Sequence, residues 1–310
     1  IIYRGKELNK GIPVTLKVLK GEYPSTESLI KFKREYEITR DIRLDGVIRV
    51  YDLKKYQNTL VMIMEDFRGK SLAGQFSENT FNLMDFLQLS IQITDILGEI
   101  HRCSIIHKDI NPSNILWNPD TGQAKLISFG ISTKLTRENP EACNPNVLEG
   151  TLAYMSPEQT GRMNRTMDYR TDFYSLGATF FWLLTKQRPF ETGDVVELIH
   201  CHIAKTPVSP SVLNGQIPDA LSQIILKLMA KNAEDRYQNI FGLKQDLQCC
   251  LDQLNSSGKI DPFEIGQKDI SNRFQIPQKL YGREKEIEVL KNSKTIPCIY
   301  TRCLICIYMV

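Results

Sequence analysis

IIHKDINPSNILWNPDTGQAKLISFG, residues 105–130, is the stretch whose reading decides the fold. Two short runs rich in branched apolar residues, Ile115 to Trp117 and Ala124 to Ile127, flank Asn118-Pro119-Asp120-Thr121-Gly122, which has the composition of a tight turn. The pattern predicts a β-hairpin. His107, Asp109 and Asn114 crowd a loop broken by Pro112 just before it, and Ser128-Phe129-Gly130 closes its second strand. Polar side chains therefore gather at both mouths of one hairpin. An Asp five residues before an Asn, on a loop facing a strand end, can orient a hydroxyl and hold a divalent metal on a phosphate.

On these residues the chain resembles the protein kinases: HKDINPSN is similar to their HRDLxxxN catalytic loop, and Ser128-Phe129-Gly130 takes the place of their Asp-Phe-Gly. The resemblance implies an α+β, bilobal fold with a small β-sheet lobe and a larger, mainly helical lobe. It implies a serine/threonine protein kinase that transfers the γ-phosphate of ATP to a protein hydroxyl in signalling, with Mg²⁺ as the second cofactor. Asp109 would accept the hydroxyl proton and Asn114 would bind metal. Ser128 stands where the family carries its metal-binding Asp. Lys108 replaces the usual Arg, keeping the charge but losing the bidentate fork. Asn111 replaces the Lys that the family offers to the γ-phosphate.

Toward the amino terminus, Ile1 to Gly5 and Pro13 to Leu19 read as two strands. Val14-Thr15-Leu16-Lys17 resembles the kinase VAIK strand, whose Lys holds the α- and β-phosphates of ATP. A helix is predicted over Ser25 to Arg43. Glu35 on it sits where kinases carry the Glu that pairs with that Lys. The alternative for Glu35 is an i, i+4 surface pair worth only ~0.3 to 0.5 kcal/mol. The family's Gly-rich loop would lie just before Ile1, so the chain is expected to begin inside the domain. Val47 to Leu53 and Thr59 to Met64 complete the small sheet. Glu65-Asp66-Phe67 resembles the hinge, where the Glu65 carbonyl and Phe67 amide would meet adenine, with Met64 as gatekeeper and Leu116 against the ring. Thr15 stands where a small Ala is usual.

Toward the carboxyl terminus, Leu83 to His101 is a strongly amphipathic helical pattern. Residues 131–155 read as a long loop ending in GTLAYMSPE, which resembles the kinase substrate platform. By that resemblance Thr151 braces Asp109, and Ser132, Thr133 and Thr136 are candidate phosphosites. The apolar run after Asp172 predicts a helix buried all round, and the resemblance implies that Asp172 ties down the catalytic-loop backbone. Glu158 and Arg236 match the family's buried ion pair. Helices are predicted over residues 194–204, 219–230 and 238–254. The expected organisation is a small lobe over 1–66, a large lobe over 67–254 and a polar linker over 255–278. Residues 279–310 would begin an AAA-type ATPase module. Phe274 to Glu286 resembles the opening of the modules that follow the kinase domain in hybrid signalling kinases, so covalently following modules join the protein substrate as expected partners. Beyond Lys294 no folded element is assigned.

The bulk composition is that of an ordinary globular protein. Of 310 residues 42% are hydrophobic and 24% charged, and 39 Lys+Arg against 36 Asp+Glu leave +3, with no clustered basic run to suggest nucleic acid. The eight Cys and the absence of a signal pattern predict a reducing, cytoplasmic setting. Cys303 and Cys306 lack a second pair, so no metal site is assigned there. The apolar run 296–310 contains Arg302 and is shorter than the roughly 20 residues that span a bilayer, so no membrane span is expected. Aminoglycoside- and choline-type phosphotransferases share an HxDxxxxN loop. The Ser-Pro-Glu run, the long loop and the Asp172 helix favour protein kinases instead. The rival class is a pseudokinase that regulates a neighbouring module by changing shape. Ser128 discriminates, because a neutral hydroxyl in place of a metal-bridging carboxylate implies transfer on the order of a thousandfold slower.

Overall fold

The computed structural model describes residues 1–8, 11–21, 23–76, 82–134, 150–162 and 165–270. Residues 1–271 form one compact unit. Residues 272–310 form a second and lie outside the described residues, as do the ATPase-like segment and Thr136.

The small lobe is a four-stranded antiparallel sheet in the order β1-β2-β4-β3, built from β1 (Ile2–Lys6), β2 (Pro13–Val18), β3 (Val50–Tyr56) and β4 (Thr59–Glu65). The helix α1 (Thr26–Asp41) lies against it, started by the Ser25 hydroxyl, which accepts the Ser28 amide at 3.2 Å. Phe32 of α1 packs with Ile48, Val50, Met62 and Met64 in a small separate core. Alternation in β2 brings Thr15 and Lys17 to one face, where they line the cleft together with Met62 and Met64 of β4. The strand expected from Val47 starts at Val50. Val47 forms instead a single parallel bridge to Leu126 of the large lobe.

The large lobe follows the hinge. β5 (Lys70–Ser71) and α2 (Leu72–Gln75) lead to α3 (Leu83–Arg102), whose Asn82 side chain caps it by accepting the Asp85 amide. Phe86, Leu87, Ile93, Leu97 and Ile100 of α3 are fully buried, each contributing roughly 1.5–3 kcal/mol of transfer free energy. β6 (Ile105–Ile106) pairs with β9 (Thr133–Lys134). β7 (Ile115–Asn118) and β8 (Gln123–Leu126) form the predicted hairpin, with β5 added at its edge. Two 3₁₀ turns, Leu152–Tyr154 and Pro157–Thr160, precede α4 (Arg170–Thr185), which is buried on nearly every side. α5 (Val195–Ala204), α6 (Pro210–Leu213), α7 (Asp219–Leu228) and α8 (Ile240–Ser257) complete the lobe.

The end of the large lobe also differs from the sequence reading. The linker expected from residue 255 does not begin there: α8 runs to Ser257, and Ile260, Phe263 and Ile265 fold back onto the main core. The packing of those three side chains favours order, although Asp261-Pro262 breaks every regular pattern. No helix among the described residues is long and apolar enough to cross a membrane.

Candidate active site

A cavity of about 420 Å³ separates the sheet from the large lobe. Its walls include Thr15, Met62, Met64, Leu116 and Ile127, its rim the segment Glu65 to Gly69, and its inner end Lys17, Glu35, Asn114 and Ser128. Lys17 Nζ lies 2.5 Å from Glu35 Oε1. Glu35 is therefore buried and paired with the strand lysine. Lys17 also stands 5.9 Å from the centre of the Phe32 ring, so α1 is held inward by an ion pair and an aromatic face together. Arg34 Nη2 donates to the Ser132 carbonyl at 3.1 Å, tying the same helix to the segment after the hairpin.

At the hinge, Glu65 and Phe67 border the cavity, as the sequence reading places them. The Glu65 carboxylate, which that reading did not use, accepts the Arg49 amide at 2.9 Å and the Lys125 ammonium at 2.5 Å. Lys125 Nζ also lies 5.4 Å from the Phe67 ring centre. Asn118 donates its side-chain amide to the Phe67 carbonyl at 3.1 Å. The hinge backbone is thus fixed from the hairpin side.

The catalytic-loop residues converge on Asp109. Its Oδ1 accepts the Thr151 amide at 2.9 Å and Asn111 Nδ2 at 3.0 Å, while Oδ2 accepts Asn114 Nδ2 at 2.7 Å. The Asn111 amide also donates to Thr151 Oγ1 at 3.1 Å. Thr151 and Asp109, 42 residues apart, are brought together as expected, and Asn111 links them. His107 accepts the Asp109 amide on Nδ1 at 3.2 Å and donates from Nε2 to the Ile127 carbonyl at 2.9 Å, which fixes its tautomer. Its ring stands 4.6 Å from that of Phe129, which is fully buried in the large-lobe core. The turn at Lys108, with φ of +68°, is held by Asp172, whose two oxygens accept the Lys108 amide at 2.7 Å and the His107 amide at 2.9 Å. His101 donates to the same carboxylate at 2.8 Å.

Ser128 lines the cavity with a left-handed φ of +70°. That conformation is tolerated best by Gly, Asn and Asp, so Ser is out of place in backbone as well as in charge. The donors at Asn114 and Ser128 do not suit a divalent metal: Asn114 turns its amide to Asp109 and offers its carbonyl oxygen, and Ser128 offers a hydroxyl, both neutral. Among the described residues no group of three His, Cys, Asp or Glu side chains could hold a metal. A nucleotide fits better, since pockets for such ligands run roughly 300–1,000 Å³ with apolar walls and a few polar groups.

Beneath the cleft, Arg236 forks onto Glu158 at 2.6 and 2.8 Å, both side chains being buried. Burial pushes the Glu158 carboxyl up. Arg236, backed by hydrogen bonds from the backbone and Thr171, outweighs this and holds it below its ordinary value. The adjacent Gln159 donates to the Lys108 carbonyl at 2.8 Å, a link from platform to catalytic loop that no spacing announces. Two expectations fail here. Ser132 and Thr133 are both buried, and the Ser132 hydroxyl donates to the His107 carbonyl at 3.0 Å, so neither offers itself for phosphorylation in this conformation.

Comparison with known proteins agrees with this geometry. The family model of the protein kinase domain matches residues 1–247. A hybrid signal transduction histidine kinase G of Dictyostelium discoideum is 31% identical, over 65% of this chain and 8% of its own. A probable serine/threonine-protein kinase of Clostridium acetobutylicum is 32% identical, over 77% and 36%. The serine/threonine-protein kinase PrkC of Bacillus subtilis is 27% identical, over 81% and 38%. The chain thus spans well under half the length of these curated relatives. A match over four fifths of the residues, joined to an ion pair, a catalytic loop and a buried Glu158–Arg236 fork arranged around one cleft, shows that this chain belongs to the protein kinase family.

Proposed function

We propose that the chain is a serine/threonine protein kinase domain that binds ATP in the interlobe cavity and transfers phosphate to a protein hydroxyl at a rate depressed by Ser128. The observation that carries this reading is the Lys17–Glu35 pair, in place at 2.5 Å on a cavity that Asn114, hydrogen-bonded to Asp109, also lines. Lys17 offers its charge to the phosphates, and Glu35 keeps it aimed. The backbone of Glu65 and Phe67 recognises the adenine edge, with Leu116 against the ring. Asp109 orients the attacking hydroxyl and takes its proton, while Thr151 and Asn111 keep its carboxylate from rotating. When bound, ATP supplies the phosphoryl group. No step is assigned to Mg²⁺, because the neutral donors Asn114 and Ser128 do not make a site for it.

Protein substrates and covalently following signalling modules are the partners this reading calls for, and the relative named as a hybrid kinase supports the second. The free thiols Cys103, Cys201, Cys249 and Cys250 suit a reducing, cytoplasmic setting. The neutral hydroxyl at Ser128 also favours a second reading, a pseudokinase that binds nucleotide without turning it over.

Calorimetric titration with ATP tests the shared part. Binding is expected without Mg²⁺, changing little when it is added, and Lys17→Met weakens it about tenfold or more. No heat and no thermal shift at millimolar ATP, with folded protein, overturns the proposal.

A further inference from the structure

Residues 258–270 lie beyond the 1–247 matched by the kinase family, yet they are built into the large lobe. The segment is fastened at several points. Gln253 accepts the Asp261 amide at 2.7 Å, and Asp246, which also accepts the Tyr237 hydroxyl, takes the Gly266 amide at 2.7 Å. Its last anchor is Asp269, whose side chain is 4% exposed. That carboxylate accepts the Gln238 amide at 2.8 and 3.0 Å and the Asn239 amide at 3.0 Å, with Lys227 Nζ at 3.6 Å. Asn239 Nδ2 in turn donates to the Ile270 carbonyl at 2.7 Å.

Gln238 connects this anchor to the support of the platform. Its side-chain amide donates to the carbonyls of Ala233, Glu234 and Arg236, its Oε1 accepts Arg170 Nη1 at 2.8 Å, and its carbonyl accepts the Tyr169 hydroxyl at 2.7 Å. Arg236 donates to the Arg170 carbonyl at 2.9 Å and forks onto Glu158, in the 3₁₀ turn Pro157–Thr160. An unbroken run of hydrogen bonds therefore leads from Asp269 to the turn after Ser156. Burial makes each link costly to leave unmade.

We propose that Asp269 is a positioning residue for the protein-substrate platform, acting through Gln238, Arg236 and Glu158 to hold residues 156–160 against the catalytic loop. This rests on the reading of those residues as the surface a protein substrate lies on. Gly242 gives an independent handle: a Cβ there would meet Asp269 Cα at 2.7 Å and its Oδ1 at 2.9 Å. Gly242→Ala favours the helix by propensity alone, so any loosening it causes comes from expelling Asp269.

Hydrogen exchange of the whole chain tests this without requiring phosphate transfer, so a chain unable to transfer phosphate still answers the question. In Asp269→Ala and in Gly242→Ala the amides of Gln159 and Gly161 are expected to exchange about tenfold faster or more, while those of β2 and β4 do not change. Lys268→Ala, on the same segment but bonded only to Gln245, serves as the control and leaves all of them unchanged. Should Asp269→Ala not fold, Gly242→Ala carries the test, and Asp269→Asn, which keeps an acceptor for Gln238, is expected to leave the amides of Gln159 and Gly161 unchanged. Acceleration confined to residues 238–242, or spread equally over the small-lobe sheet, overturns the proposal.

Discussion

The cleft and the base of the large lobe each pair a cation with a carboxylate, and they do so for opposite ends. Lys17 and Glu35 meet at the wall of an open cavity, their side chains 26% and 11% exposed, so the pair is there to be used by something that enters. Arg236 and Glu158 are 0% and 6% exposed, with hydrogen bonds filling their remaining valences, and nothing from outside can reach them. The difference separates what holds this kinase together from what it works with. The buried pair is enclosed by its partners, whereas the cavity end presents the Ser128 hydroxyl.

Removing one cation from each pair separates the two roles. Arg236→Met strands a buried carboxylate and is expected to cost about 3–5 kcal/mol in a urea unfolding series. Lys17→Met, by contrast, costs no more than about 1 kcal/mol, since solvent in the cavity can reach Glu35. Equal losses would erase the distinction.

At the cleft, Ser128→Asp restores a charged ligand and a side chain better suited to the left-handed φ. Radiolabelled phosphate incorporation into a generic protein substrate is expected to rise by about 10² to 10³ with Mg²⁺ present, or roughly 3–4 kcal/mol of barrier. Asp109→Asn in that background abolishes the gain. An unchanged rate with ATP bound moves the lesion to Asn111.

A third measurement concerns the buried base at low pH. Burial, and then the charge of Lys231, push the His202 imidazole down to about 4, and the Tyr174 hydroxyl meets its Nδ1 at 3.0 Å. A folded value below the unfolded one means that the unfolded chain takes up a proton the folded chain refuses. Stability therefore falls as pH drops from about 6.5 toward 4, by roughly 2 kcal/mol at pH 5. His202→Asn should flatten that slope in melts at a series of pH values, and a slope that survives the substitution assigns the loss to other groups.

The smallest effect is local. Asn239 accepts the Gly242 amide at 2.6 Å as the cap of α8, so Asn239→Ala is expected to cost about 1 kcal/mol in thermal melts.

What the sequence disclosed follows the range of each interaction. The hairpin 115–126 and the helix 83–102 were legible because period-2 and period-3.6 patterns are local. The contacts of Lys17 with Glu35, and of Glu158 with Arg236, span 18 and 78 residues and have no signature in spacing; only the resemblance to a family suggested them. The same resemblance showed Asn111 as a lost charge, and could not show its amide bridging Asp109 and Thr151. Residues 258–270 were misread for a different reason. Gly258 and Asp261-Pro262 do mark irregular backbone, but irregular backbone can still be packed, and Ile260, Phe263 and Ile265 bury themselves without any period to betray it.

The bridge from Val47 to Leu126 also determines how the two lobes can move. Leu126 donates to the Gly46 carbonyl at 2.8 Å and Ile48 donates to the Leu126 carbonyl at 3.1 Å, while the covalent crossing lies at residues 65–69. A methyl group on Gly46 would fall 2.2 Å from the Ile96 side chain, so the stitch sits directly on α3. A rotation of the small lobe about the line joining these two ties would stretch neither of them, and it would open the mouth of the cavity with little displacement at Leu126.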